Sequence, residues 1–189
     1  MTTSPTILCV DDDADLLAAI VRTLRRDRLQ VVSTTSALEA ASILTAQPIA
    51  VLVSDFDMPE MTGVELAAAA RKIRPETVRI LLTGRGTFDT AVKGINEGEI
   101  FRFLSKPFDT DQLRQAVADG IARNTELAAA IRDRDTTVRR ERLMRELEDE
   151  YPTITQVQRD AKGAYAVGPD PWARLGGLGL DHVRALARR

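Results

Sequence analysis

The chain has 189 residues, 44% hydrophobic, 29% charged and only 4% aromatic, enough for one full domain and an accessory segment. Twenty-six Lys and Arg against 28 Asp and Glu leave a net charge of −2, which implies no polyanionic partner. One cysteine, Cys9, and one histidine, His182, exclude a disulfide scaffold, a Cys/His metal centre and a Ser-His-Asp triad. No apolar run approaches the roughly 20 residues that span a bilayer, and Met1–Thr6 carries no basic region ahead of an apolar one. The expectation is a cytoplasmic protein that makes no membrane contact and works through carboxylates, Lys and Thr.

The first 120 or so residues alternate two patterns. Short runs rich in Val, Ile and Leu occur at Thr6–Val10, Leu29–Ser33, Ile49–Ser54, Val78–Thr83 and Ile100–Ser105. Four of them are almost continuously apolar, as strands of a parallel sheet covered on both faces are. Between and after them lie amphipathic stretches of helical length at Asp13–Asp27, Ala37–Ala46, Gly63–Ile73, Thr87–Asn96 and Asp109–Arg123. In the first of these, Leu16, Leu17, Ile20, Val21 and Leu24 recur at helical spacing. Five strand–helix units in succession predict an α/β fold with right-handed crossovers and helices on both faces.

After Arg123 the pattern changes, and the chain is expected to divide at 1–122, 123–151 and 152–189. Thr125–Glu150 carries dense alternating charge with apolar points at Leu127, Ile131, Val138, Leu143, Met144 and Leu147. Close Glu/Asp–Arg pairs favour an exposed helix, and no Pro or Gly after Gly120 interrupts it, so one long helix continues the fifth helical stretch. Its broken heptad allows either a coiled-coil contact or a solitary charged helix. Beyond Pro152, Ile154–Val167 reads as a hairpin, Gly168–Gly177 as a loop and His182–Arg188 as a short helix capped by Asp181, a small α+β tail. Residues 1–122 hold 13 basic and 17 acidic side chains, and residues 123–189 hold 13 and 11. The tail's excess is too small to argue for nucleic acid, and Arg174, Arg184, Arg188 and Arg189 with Trp172 read as solvated surface.

Ligands of an open parallel sheet bind at the carboxyl ends of its strands, beside the topological switch point. Asp11, Asp12 and Asp13 follow the first strand, Asp55 and Asp57 the third, Thr83-Gly84 the fourth and Ser105-Lys106-Pro107 the fifth. Singly, each has an ordinary reading. A lone Asp caps a helix, as Asp13 does well here, and Thr-Gly or Lys-Pro makes a turn. Strand order 2-1-3-4-5 would bring them to one pocket. Clustered carboxylates repel unless a cation lies among them, and hard oxygen donors select Mg²⁺. With Lys106 as a compact positive charge and the Thr83 hydroxyl as a donor, one carboxylate is poised to attack phosphorus.

These residues carry a resemblance. Residues 5–122 resemble the receiver domain of bacterial two-component response regulators, a flavodoxin-like (CheY-like), doubly wound five-stranded fold. Asp11-Asp12, Asp55, the loop Asp57-Met58-Pro59-Glu60-Met61-Thr62-Gly63, Thr83 and Lys106-Pro107 match the family's motifs in order and spacing. The resemblance implies that Asp55 is the phosphoacceptor. It also implies that Asp12, Asp55 and the backbone carbonyl of Asp57 ligate Mg²⁺, with Asp11 close by. Lys106 and Thr83 would act on the phosphoryl group, and Phe103 would be the aromatic that moves inward as Thr83 closes. The Lys106–Pro107 peptide bond is usually cis in the family. Phe103 alternates with Phe101, so a plain core role is the simpler reading of its position. Cys9, mid-strand, reads as core.

On this basis a histidine kinase or phosphotransferase phosphorylates Asp55. The helix four/strand five surface then switches, controlling homodimerisation or the docking of a downstream protein. No enzyme activity is expected beyond phosphoryl transfer to and from its own aspartate. Two rival readings remain. One is a phosphorylation-independent scaffold on the same fold. The other is a haloacid-dehalogenase-type phosphatase, suggested by Asp55-Phe56-Asp57; that family, however, places its nucleophile after the first strand and does not follow it with Met-Pro.

Overall fold

The computed structural model describes residues 4–84 and 100–150. The helical stretch expected at 87–96 and the hairpin, loop and short helix expected beyond 151 lie outside the described residues. Two compact units divide the chain, 1–134 and 135–189.

Five strands form a parallel sheet: β1 (Thr6–Val10), β2 (Gln30–Thr34), β3 (Val51–Asp55), β4 (Val78–Thr83) and β5 (Arg102–Ser105). Their order is β2-β1-β3-β4-β5, the expected 2-1-3-4-5. Ile7 lies level with Val31 on one side and Val51 on the other, and Val51 is level with Val78. Every residue of β3 and β4 is buried, which is why Val51–Val53 and Ile80–Leu82 are apolar without alternation.

Four described helices pack on the sheet: α1 (Ala14–Arg26), α2 (Ala37–Ala46), α3 (Gly63–Ile73) and α4 (Thr110–Glu150). Their starts are written locally. Asp13 caps α1, its carboxylate accepting from the Asp15 and Leu16 N–H groups at 2.9 and 3.1 Å. Ser36 caps α2. Thr62 and Glu65 form a reciprocal capping box at α3, the Ser/Thr-x-x-Glu pattern.

The pleat sorts the core into two layers. Ile7, Cys9, Val51, Val53, Ile80 and Leu82 face α1 and α4 through Leu17, Ile20, Leu24, Leu113, Ala116 and Val117. Leu8, Val10 and Leu52 face α2 and α3 through Ala40, Leu44, Leu66 and Ala70. A buried Leu or Ile adds about 1.5–3 kcal/mol relative to exposure, so these two layers carry most of the driving force. Cys9 belongs to the core, its thiol pushed up to about 12 by burial and therefore unreactive.

The long helix foreseen from the uninterrupted charged stretch is observed as α4. At its core end Gly120 packs on β3 and β4, where a Cβ would lie 3.2 Å from Val51 and 3.5 Å from Val78. From Arg132 to Glu146 every residue is exposed. Short-range ion pairs such as Arg142–Glu146, at 2.8 Å, support the helix there.

Candidate functional site

The strand order brings four strand ends together. Asp11 follows β1, Asp55 ends β3, Thr83 ends β4 and Lys106 follows β5. Lys106 Nζ lies 2.8 Å from Asp11 Oδ2 and 2.6 Å from Asp55 Oδ1, bridging both carboxylates. The Asp13 N–H donates to the other Asp11 oxygen at 3.0 Å. Asp11 and Asp55 are buried, whereas Asp12 is exposed at the rim. One oxygen from each of Asp11, Asp12 and Asp55 lies within 4.8 Å of the others, close enough to share a metal ion.

The charges do not balance, for three carboxylates face one ammonium. Burial pushes the Asp11 carboxyl above its ordinary range, although hydrogen bonds from Lys106 and the Asp13 N–H pull the other way. Burial depresses the Lys106 ammonium, but its hydrogen bonds to Asp11 and Asp55 outweigh this and hold it above its usual value. Lys106 therefore stays charged, and the remaining negative charge with its all-oxygen donor set fits a small hard divalent cation.

Backbone contacts fix the strand that ends in Asp55. The Lys106 N–H donates to the Thr83 carbonyl at 2.6 Å, and the Phe56 N–H to the Leu82 carbonyl at 2.9 Å. The Lys106–Pro107 peptide bond is cis, as the resemblance implied. Thr83 is fully buried, and its Oγ1 has no hydrogen-bond partner among the described residues. A donor left unmatched in a buried site costs about 1–3 kcal/mol. This one stands at the end of the strand next to Asp55. Phe103 packs against the small cluster of Phe56 and Leu81, so its side chain is part of the wall beside the site. The Asp57 side chain is exposed.

The packing roles of two positions escaped the sequence reading, although Gly63 was named there as the end of the matched loop. Ser54 is buried, and its hydroxyl donates to the Asp55 carbonyl oxygen at 2.9 Å. Gly63 opens α3 against that same carbonyl, where a Cβ would sit 2.1 Å from the oxygen. Its own N–H donates to the Phe56 carbonyl at 2.9 Å. A glycine directly after a capping Thr was the available signal, for an ordinary helix start does not need one there.

The Response regulator receiver domain family model matches residues 7–118, more than half of the chain. The chain belongs to the response regulator receiver family. This receiver is 33% identical over 150 residues to the transcriptional regulatory protein GlrR of Escherichia coli (strain K12), a match covering 79% of this chain and 33% of that protein. Among solved structures, a response regulator receiver domain protein from Clostridium thermocellum is 32% identical, with a TM-score of 0.61, over 65% of this chain and 98% of that one. The beryllofluoride-activated NtrC4 receiver domain dimer is 27% identical, with a TM-score of 0.59, over 63% of this chain and 98% of that one. This receiver chain thus spans about a third of the length of the curated relative it matches. Among the described residues no helix is long and apolar enough to cross a membrane.

Proposed function

We propose that this chain is a phosphorylation-controlled switch in which Asp55 takes a phosphoryl group from a histidine kinase or phosphotransferase in the cytoplasm. The observation that carries the reading is the contact of Lys106 Nζ with both Asp11 and Asp55 at one sheet edge. An Asp55 oxygen attacks phosphorus, the O–P bond forms, and the N–P bond to the donor imidazole breaks with its electrons returning to nitrogen. Asp11, Asp12, Asp55 and the Asp57 carbonyl would hold Mg²⁺, which when bound neutralises charge on the phosphoryl oxygens. Lys106 turns from the Asp55 carboxylate to a phosphoryl oxygen, and Thr83 Oγ1 supplies the donor that is otherwise unmatched.

Closure of Thr83 frees space toward Phe103, biasing the surface that carries β5. That bias controls homodimerisation or docking of a downstream protein; the similar NtrC4 receiver domain, a dimer when activated by beryllofluoride, supports the first. In this reading residues 1–122 are the receiver, 123–151 the helical extension and 152–189 a tail with a separate role. Nucleic acid is not assigned to the tail, although relatives are named transcriptional regulatory proteins. The protein turns over no external substrate.

Treatment with acetyl phosphate and Mg²⁺ followed by Phos-tag electrophoresis tests the reading. One retarded band is expected for the wild type and none for Asp55→Ala. An equally retarded Asp55→Ala protein refutes the assignment. Steady turnover of a chromogenic phosphomonoester would instead establish a phosphatase.

A further inference from the structure

The helical segment of the second unit, 135–150, leaves an apolar face uncovered. Leu143 is 54% and Met144 43% exposed, and Leu147 is half-buried. At about 100° per residue these three share one side of the helix, with Arg140 at its middle. Arg139 and Glu146, seven residues apart, fall together on one shoulder of that face. A solitary helix gains nothing from such a face, because its stability in water rests on tertiary or quaternary packing.

We propose that this face binds the same face of a second copy of the chain, with the two helices antiparallel. The charges decide the direction. A parallel pair stacks Arg140 on Arg140 in the seam and gives neither Arg139 nor Glu146 an opposite partner. Reversing one helix places Arg139 beside Glu146 of the second copy, and the two-fold axis makes that contact twice. Arg140 then lies along Leu143 of the second copy, its aliphatic stem covering the leucine while the guanidinium reaches water. The Arg142–Glu146 pair within each helix, at 2.8 Å, leaves the second carboxylate oxygen available to the incoming Arg139. The inference gives the proposed homodimer a helix direction, yet it does not depend on Asp55 chemistry and is measured without a phosphodonor.

Sedimentation equilibrium of the full chain, from micromolar to millimolar concentration, provides the test. Wild type should self-associate, and Arg139→Glu and Glu146→Arg should each weaken that association about tenfold or more by opposing like charges twice. Mixing the two variants should restore association to near the wild-type level, because every contact between them is then complementary; the double variant should recover likewise. Helical content by circular dichroism checks that each variant still forms the segment. A wild-type chain that stays monomeric at millimolar concentration overturns the proposal, and that is also the outcome if the tail of the same chain covers the face. Variants that associate like wild type, or that fail to rescue each other on mixing, overturn it too. Retarded Asp55 phosphorylation bands with no self-association would uphold the proposed function while refuting this contact.

Discussion

At the Asp55 carbonyl the packing leaves room for a hydrogen and nothing larger. Ser54 donates to this oxygen and Gly63 abuts it, so the peptide that carries Asp55 is held from two sides. Gly63→Ala forces α3 or β3 to shift, and we expect a loss of about 1–3 kcal/mol in urea unfolding together with slower labelling of Asp55. Thr83 behaves in the opposite sense. Thr83→Val removes a buried hydroxyl that has no partner among the described residues, so urea stability should hold or rise by about 1 kcal/mol while the phosphorylation-linked change is lost. The carboxylates, the threonine and the lysine were legible in the sequence because chemically demanding residue types follow predicted strands. The roles of Ser54 and Gly63 were not, since they depend on close three-dimensional approaches to one carbonyl oxygen that no spacing rule encodes.

The same logic governs the elements. α4 reaches β3 and β4 because Gly120 lacks a side chain where Val51 and Val78 come close. Gly120→Leu should therefore cost about 3 kcal/mol by chemical denaturation, whereas Gly120→Ala stays near neutral as helix propensity of up to about 1 kcal/mol offsets crowding. The start of α4 is tied to the end of α1 by Arg114, whose Nε donates to Asp27 at 2.7 Å. That hydrogen bond holds the Asp27 carboxyl below its ordinary value of 3.8. Because the folded form binds its proton less readily, the pair's support is complete above that value and fades as pH falls through the lower folded one. An Asp27→Asn chain should consequently show a shallower loss of thermal stability than wild type between about pH 4 and 2, as a melting series would reveal. Amphipathic spacing made these helices readable, with Asp13 alone read as a cap. Asp13, Ser36 and Thr62 stand where the structure starts α1, α2 and α3, and the sequence marks them with no reference to distant contacts.

For the whole receiver, fold and site depend on one topological fact, the adjacency of β1 and β3. Continuous apolar runs revealed the sheet, whereas the order of its strands entered as a condition and through the family resemblance that Asp11, Asp55 and Lys106 carry. The contrast between buried Asp11 and rim-exposed Asp12 was not legible, because both follow the same strand and a single residue decides which points inward. A pocket with excess carboxylate is a cost to the empty fold that a cation relieves. Mg²⁺ at about a hundred times its dissociation constant should raise unfolding stability by about 2.7 kcal/mol, seen as a higher melting temperature, and Asp12→Asn should blunt that rise. Every residue assigned to the chemistry lies between Asp11 and Pro107, ahead of the first turn of α4. A chain altered only after Arg134 thus keeps every residue that the proposed phosphoryl transfer uses, so on that reading one acceptor domain serves different trailing sequences unchanged.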